Sequence, residues 1–322
     1  MKNESKIKQL VKKYKECEVE SIELLNSSQN KVYKVVTNKG TFVVKEFSKD
    51  AIKNYYYLRR RKEQLSISKK FNRYGINTAH PIALNSKNFI LMKNHYYVMY
   101  NFLEEESLSF EELTASHIKV LAETQAAIHK LKIRTKLPCI YKKVRINYNY
   151  QIKLARIVDD KLYEMLVENK DSLEKLTEEC NCRLKKVKNN LCISHNDYKL
   201  ANILWNKKEM TLVDFDATGL ANPTSSLCES EFTFSYNGKT INYNFYSEYL
   251  RRYINIYGKI EDNFEDCVYA CLNGKLQWLS YMFAKNKRVK DNYVEETKEM
   301  LKELLTYYKG IKKMQEIYDL LK

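Results

Sequence analysis

The sequence has few of the residues that make a chain flexible, with 7 glycines and 3 prolines among 322 residues. This scarcity leaves little room for flexible linkers or low-complexity segments. No window approaches the run of about 18 apolar residues that a membrane span requires. The N-terminal stretch MKNESKIKQLVKKYKECEVE is charged throughout and has no apolar segment suited to a secretory signal. We therefore expect a cytoplasmic globular protein that does not enter a membrane.

Metal-binding patterns of cysteine and histidine are also missing. The 8 cysteines form no C-x-x-C pair, and none of the 5 histidines clusters with them. A zinc site is therefore not expected. In a cytoplasmic chain these cysteines predict reduced thiols in the core.

Positive charge, by contrast, is abundant, with a formal net charge of +16. A basic chain raises the question of nucleic-acid binding. The lysines, however, are spread along the chain and alternate with glutamates in helical stretches such as ENKDSLEKLTEE. The local clusters at residues 59–62 and 185–188 are typical of solvated helix faces. A nucleic-acid-binding protein stays open as the weaker alternative.

Hydrophobic periodicity divides the chain into two parts, which a length of 322 residues can supply as two associated lobes. β-prone runs and one long turn-free helical stretch fill the first hundred residues, and helical spacing dominates afterwards. The predicted strands are 19–25, 31–36, 41–47, 89–92 and 96–102. The predicted helices are 51–74, 109–132, one or two helices over 149–188, and most of the chain from residue 243. We predict an α+β protein with a mainly β N-terminal lobe (1–101) and a mainly α C-terminal lobe (102–322).

A short predicted hairpin carries the residues with the clearest chemistry. The β-like run 210–213 would pair with 202–205 across a polar turn. This pairing would bring Asn202 and Asp214 close together at the open end of the hairpin. Because Mg²⁺ prefers one or two protein oxygens together with phosphates and water, these two side chains predict a magnesium site. Asp197, in the loop before the hairpin, could accept a hydroxyl proton or orient the nucleophile.

The spacing is also that of the catalytic-loop pattern H-x-D-x-x-x-x-N followed by a metal-binding Asp. The segment HNDYKLANILW resembles the aminoglycoside phosphotransferase and choline kinase family of small-molecule kinases. The helical segment LAETQAAIHKL is similar to a second pattern of that family, and the resemblance covers most of residues 26–257. It implies a protein-kinase-like two-lobed fold and magnesium-dependent transfer of the terminal phosphate of ATP or GTP to a small molecule's hydroxyl.

The resemblance also implies roles for residues of the N-terminal lobe. Lys45, in the strand segment Val43-Val44-Lys45, corresponds to the lysine that binds the α- and β-phosphates. Glu63 is the only acidic residue between residues 51 and 75, so it is the expected partner of Lys45. The segment containing Tyr100 and Phe102 is where family members receive the adenine. The loop 26–30, which includes Ser27, stands where phosphates would be covered.

Three features depart from the family pattern or stay open. Asp216 stands where protein kinases have the Gly of D-F-G, which argues against a protein-kinase activation switch. Ser226 occupies a position where many relatives have Asp. Glu229 and Glu231 could hold a cationic acceptor such as an aminoglycoside or an amino alcohol, or they could be two exposed glutamates on a helix. A catalytically silent relative, such as a spore-coat protein of the same fold, is a further alternative.

Overall fold

The structure is a computed structural model that describes residues 2–26, 30–47, 55–83, 87–258, 260, 262–286 and 293–321. By packing, the chain divides into two compact units. The smaller unit comprises Met1–Leu108, Thr135–Leu137 and Leu200–Thr218, and the larger comprises Ser109–Arg134, Pro138–Lys199 and Gly219–Lys322. The smaller unit thus takes in residues 200–218, which the sequence assigned to the second lobe. The two lobes as separate domains, with a boundary after residue 101, remain a prediction.

The smaller unit is built on an antiparallel sheet of five strands in the order β1-β2-β3-β5-β4. The strands are β1 (Val19–Asn26), β2 (Lys31–Thr37), β3 (Gly40–Glu46), β4 (Ile90–Met92) and β5 (His95–Asn101). Strands β2 and β3 are joined by a tight hairpin turn, in which Thr37 pairs with Gly40. Gly40 has a φ of 116°, a backbone conformation that glycine adopts without a steric penalty.

Two helices of the smaller unit pack on opposite faces of this sheet. Helix α1 (Lys2–Lys15) buries Ile7, Leu10 and Val11 against the face that carries Val44. Helix α2 (Tyr55–Arg73) buries Leu65 with Phe47 and Val98. The sequence predicted α2 but not α1. Because Lys45 pairs with Val98 in the sheet, its side chain lies on the face toward α2.

The predicted hairpin after the catalytic-loop segment is confirmed. Strands β7 (Ile203–Asn206) and β8 (Glu209–Leu212) pair antiparallel, with Ile203 opposite Leu212. The hairpin also joins the rest of the smaller unit, because Ala79 N–H donates to the Leu212 carbonyl at 2.8 Å. Trp205 N–H likewise donates to the Glu106 carbonyl at 2.9 Å. The first bond fixes the open end of the hairpin, which Asp214 follows, and the second bond lies nearer the turn.

The larger unit is mainly helical. Its helices are α3 (Ala115–Lys130), α4 (Tyr148–Val158), α5 (Asp160–Val187), α6 (Pro223–Ser235), α7 (Tyr243–Tyr257), α8 (Phe264–Asn286) and α9 (Tyr293–Leu321). One antiparallel strand pair, β6 (Cys192–Ser194) with β9 (Gly219–Ala221), precedes and follows the hairpin in sequence. The stretch 149–188 forms two helices, since Asp159 ends α4 and its side chain caps α5 through Leu162 N–H at 2.7 Å.

Helix α6 is not among the helical ranges that the sequence predicts, although one interpretation places Glu229 and Glu231 on a helix. Asn222 caps it by accepting from Ser225 N–H at 3.0 Å, and Pro223 occupies its first turn. Almost every residue of α6 is buried, so the helix has no polar face for a periodicity argument to detect. It forms the centre of the larger unit, where Phe232 stacks on Tyr307 of α9 at 4.1 Å.

Two expectations about the chain as a whole can be compared with these elements. All eight cysteines are free thiols, and five of them are buried as predicted for the core. The prediction is wrong for Cys182, which is exposed, while Cys139 and Cys192 are half-buried. Among the residues that the structure describes, none of the helices is long and apolar enough to cross a bilayer.

Candidate active site

Lys45 is held on β3 with only 8% of its surface exposed. Its amine lies 2.8 Å from Asp214 Oδ1 and 2.8 Å from Asp216 Oδ2. Burial alone would lower the pKa of this amine, but the two carboxylates outweigh it and raise the pKa above its usual value. Lys45 is therefore a fixed positive charge at neutral pH, as a phosphate-binding lysine requires.

Asp214 follows strand β8, with Val213 between them. Val213 N–H donates to the Asn202 carbonyl at 3.0 Å, so the hairpin places Asn202 beside the residue that precedes Asp214. Asp214 adopts a left-handed backbone, with φ 57° and ψ 76°. That conformation costs a non-glycine residue about 1 kcal/mol, although Asp tolerates it better than most. The bend projects the Asp214 side chain outward, and it is 41% exposed.

The side chains of Asn202 and Asp214 carry oxygen donors of the kind that magnesium takes. Within the described part of the chain, no group of three or more His, Cys, Asp or Glu side chains is gathered as a metal centre. The amide of Asn202 and the carboxylate of Asp214 offer two protein oxygens instead. This is the sparse set that Mg²⁺ uses when phosphates and water complete its shell.

The expected pairing of Glu63 with Lys45 is not observed. Glu63 Oε1 accepts a hydrogen bond from Thr135 Oγ1 at 2.9 Å, and no ion pair between Glu63 and Lys45 occurs among the described residues. The second carboxylate at Lys45 comes from Asp216, which follows Asp214 by two residues. Sequence reasoning used this position only to argue against a protein-kinase switch.

Arg61 is the residue whose burial differs most clearly from the sequence-based prediction. Its cluster, residues 59–62, was interpreted as a solvated helix face, yet Arg61 is only 8% exposed. Its Nη1 lies 3.2 Å from Asp216 Oδ1 and donates to the Asp216 carbonyl at 2.5 Å. We call Lys45, Arg61, Asp214 and Asp216 the Lys45 cluster. Gln64, three residues after Arg61, also donates to the Asp216 carbonyl. Residues three apart lie on the same face of a helix, so this spacing is the sequence signal that places both side chains on the buried face.

Asp197 lies in the larger unit, in the loop after β6. The residue before it, Asn196, has a left-handed backbone with φ 58°. The carboxylate of Asp197 is 2.9 Å from the amine of Lys199, which sequence reasoning did not select. The sequence signal for this ion pair is the spacing of two residues between Asp197 and Lys199 within one loop. Lys199 adds a positive charge next to the predicted base.

A buried set of neutral polar groups holds the start of this loop. Ser194 Oγ lies 2.8 Å from Ser226 Oγ and 3.3 Å from His129 Nε2. The other ring nitrogen of His129, Nδ1, is 2.7 Å from the Tyr253 hydroxyl. Burial lowers the pKa of His129 to about 3, so the imidazole is neutral at physiological pH. Ser226, at the position where many relatives have Asp, thus takes part through its hydroxyl.

One protein-family model matches most of the chain. The model of the phosphotransferase enzyme family, APH, matches residues 21–257, which is well over half of the chain. The chain belongs to this family. The matched range contains the Lys45 cluster, Asn202 and Asp197. No curated protein matches the sequence.

Solved structures show the same fold at low sequence identity. Spectinomycin phosphotransferase APH(9)-Ia, in complex with ADP and spectinomycin, has a TM-score of 0.66 at 16% identity and covers 94% of this chain and 97% of its own. The amicoumacin kinase hAmiN, in complex with AMP-PNP, Ca²⁺ and Ami, has a TM-score of 0.64 at 14% identity and covers 100% of both chains. Choline kinase LicA from Streptococcus pneumoniae has a TM-score of 0.63 at 15% identity, covering 95% and 100%. The predicted α+β, protein-kinase-like fold is confirmed.

Three further residues were expected to contact the nucleotide, Tyr100 and Phe102 at the adenine and Ser27 at the phosphates, and these roles stay predictions. Tyr100 lies on β5 opposite Val43, close enough to Lys45 for their charges to interact, and burial raises the pKa of its hydroxyl. Phe102 N–H donates to the Thr41 carbonyl at 3.1 Å, so this donor is already used within the sheet. Ser27 lies outside the described residues.

The two glutamates considered for a cationic acceptor differ sharply. Glu231 is completely buried next to Tyr246, and burial raises the pKa of its carboxyl well above the usual value. Because no part of Glu231 is exposed, a cation in solution cannot reach its carboxyl, and the interpretation of Glu231 as an exposed glutamate is wrong. Glu229 is half-buried, and its charge interacts with those of Lys275 and Asp197.

Proposed function

We propose that this APH-family chain transfers the γ-phosphate of ATP or GTP, with Mg²⁺, to a hydroxyl of a small molecule. The observation that carries the proposal is the contact between Lys45 and Asp214, residues 169 positions apart in the sequence, at 2.8 Å. This contact unites a strand lysine suited to phosphates with a carboxylate suited to the accompanying metal ion. Such a pair is what a nucleotide-dependent phosphotransferase needs.

Each residue has a defined part in the proposed reaction. Lys45 would donate hydrogen bonds to the α- and β-phosphates, and Asn202 and Asp214 would hold the magnesium ion, which neutralises phosphate charge when bound. Asp197 would orient the acceptor hydroxyl and take its proton. The acceptor oxygen forms a bond to the γ-phosphorus, the bond to the bridging oxygen breaks, and the nucleoside diphosphate leaves. Catalysis is then mainly positioning and charge neutralisation.

A cationic acceptor is the narrower proposal, and Glu229 is the residue that supports it. The half-buried carboxylate is near enough to Asp197 for the two charges to interact. Lys275, however, also interacts with Glu229, and the Lys275 amine lies 2.5 Å from Glu303 Oε1. Part of the negative charge around Glu229 is therefore neutralised inside the protein. Neutral alcohols consequently belong in the test beside amines.

An acceptor panel tests the proposed function. Purified protein is incubated with ATP or GTP, Mg²⁺ and aminoglycosides, choline, ethanolamine, sugars or homoserine, and nucleoside diphosphate is measured. We expect acceptor-dependent turnover that falls about 100-fold or more in Asp197→Ala, because a general base contributes on that order. ADP affinity should be unchanged in this variant. The matched control is Asp171→Ala, in which a fully exposed carboxylate is removed.

The same experiment separates the alternatives. A protein that binds magnesium nucleotide but turns over with none of the acceptors would be a catalytically silent relative. Near-wild-type turnover of Asp197→Ala would remove Asp197 from the mechanism. Salt-sensitive binding to random duplex DNA together with no nucleotide binding would instead favour a nucleic-acid-binding protein.

A further inference from the structure

Both carboxylate oxygens of Asp216 are engaged. Oδ2 lies 2.8 Å from Lys45 Nζ and accepts a hydrogen bond from Asn30 Nδ2 at 3.0 Å. Oδ1 lies 3.2 Å from Arg61 Nη1. One carboxylate therefore joins the strand lysine to a buried cation of helix α2. Charge-assisted contacts of this kind are the strongest hydrogen bonds in proteins.

The backbone of Asp216 is anchored by the same helix. Its carbonyl accepts from Arg61 Nη1 at 2.5 Å and from Gln64 Nε2 at 2.8 Å. Gln64 Nε2 also donates to the Thr218 carbonyl at 2.9 Å. Helix α2 thus holds the short turn that carries Asp216 at three points. A side chain whose backbone and carboxylate are both fixed can in turn fix Lys45.

The two carboxylates at Lys45 differ in their other partners. Asp216 is 22% exposed and shares its charge with Arg61, whereas Asp214 is 41% exposed and is the proposed metal ligand. If Asp214 were to hold a metal ion, Lys45 would still have Asp216 as its partner. We propose that Asp216, clamped by Arg61 and Gln64, is the positioning residue that holds Lys45 for the nucleotide phosphates. This inference rests on the proposed function, and it gives Asp216 the role that the sequence suggested for Glu63.

A second metal-binding role for Asp216 fits the contacts less well. The guanidinium of Arg61 at one oxygen and the amine of Lys45 at the other surround this carboxylate with positive charge. Another cation at the same oxygens would be repelled by both. The two roles predict different effects of a mutation. Loss of a metal ligand would raise the Mg²⁺ concentration that is required, whereas loss of the residue that positions Lys45 would weaken nucleotide binding even without metal.

The test measures ADP affinity by calorimetry with and without Mg²⁺ and, on the acceptor found active, kcat and the nucleotide KM. In Asp216→Asn we expect metal-free ADP affinity to fall on the order of tenfold, since one charge-assisted contact is lost. The nucleotide KM should rise more than kcat falls, and the half-saturating Mg²⁺ concentration should not change. Glu63→Gln tests the rival carboxylate and should bind ADP as the wild type does, as should the exposed control Asp171→Asn.

Variants of Arg61 show whether the clamp acts through Asp216. Arg61→Gln should weaken ADP binding, Arg61→Lys should restore part of the affinity, and Arg61→Gln with Asp216→Asn should be no weaker than Asp216→Asn alone. If Asp216→Asn does not fold, the two Arg61 variants decide the question by themselves. Any one of three results would overturn the inference: an ADP affinity that is unchanged in the variants that fold, a raised Mg²⁺ requirement in Asp216→Asn, or a weaker ADP affinity in Glu63→Gln. Absence of ADP binding to the wild type would overturn the proposed function itself.

Discussion

At the scale of single residues, Glu229 makes the stability of the protein depend on pH. Burial, opposed by Lys275 and assisted by Asp197, raises the pKa of Glu229 to about 7 from its model-peptide value of 4.5. Between these two values the folded protein holds a proton that the unfolded chain releases. The contribution of Glu229 to stability is therefore fully present below pH 4.5 and is lost as the pH rises toward 7.

We expect Glu229→Gln to remove this dependence. Relative to the wild type, the free energy of unfolding of the variant should increase between pH 5 and pH 7 and then stay level. Urea unfolding at several pH values measures this difference. His129, with a lowered pKa, gives a slope of opposite sign in both proteins, so it cancels in the comparison. A difference that is independent of pH would show that Glu229 ionises normally in the folded state.

The residues of the Lys45 cluster show how far sequence reasoning reaches at this scale. Lys45 was predicted because a strand pattern and a family motif meet at one position. Arg61 was assigned to the solvent, because its partner Asp216 lies 155 residues away and local charge patterning carries no information about it. Glu63 was selected as the only acidic residue in a segment, an argument that fails when the carboxylate comes from another part of the chain.

At the scale of elements, two short segments had opposite outcomes for physical reasons. The β7–β8 hairpin was predictable because two β-prone runs flank a polar two-residue turn, and Lys207 adopts the required positive φ of 55°. Helix α1 was missed although Ile7, Leu10 and Val11 follow helical spacing. The segment is highly charged, and the sequence alone does not show the sheet face that these apolar residues cover, because that face forms only when β2 and β3 pair.

Ser226 of α6 lies among buried polar side chains of β6 and α3. Gln125 Nε2 donates to the Ser226 carbonyl at 3.0 Å, and the Ser226 hydroxyl contacts Ser194 at 2.8 Å. These contacts of Ser226 in the described structure are all with neutral groups. Ser226→Ala should cost about 1–2 kcal/mol of stability, since it leaves buried partners unpaired. Ser226→Asp should cost more at pH 8, about 3 kcal/mol, because it buries a carboxylate without a cation.

The pH dependence of the Ser226 variants separates charge from size. Protonation of the new carboxyl at low pH should bring Ser226→Asp closer to Ser226→Ala in chemical unfolding at pH 5. Ser116→Asp, at an exposed position at the start of α3, is the matched control. If Ser226→Asp were as stable as the wild type at pH 8, a cation would have to reach this position, and the network would not depend on neutral groups.

At the scale of the whole molecule, the net charge of +16 decides less than the placement of a few charges. Surface charges separated by more than about 10 Å are screened at physiological ionic strength. The Lys45 cluster is different, because two cations and two carboxylates balance within one partly buried group. In the proposed function, a nucleotide would add phosphates and a metal ion to that balance, so the local arrangement rather than the overall charge would govern its binding.

The most direct measurement of the central claim is a thermal shift with magnesium and ADP. ADP with Mg²⁺, at 100 times the Kd measured with Mg²⁺, should stabilise the wild-type protein by about 2.7 kcal/mol. The same ADP concentration without Mg²⁺ should stabilise it less. Asp214→Asn should lose the magnesium-dependent part of the shift, and Asp171→Asn should keep it. A magnesium-dependent shift that survives in Asp214→Asn, or no nucleotide-dependent shift in the wild type, would contradict a metal–nucleotide site built on Asp214 and Lys45.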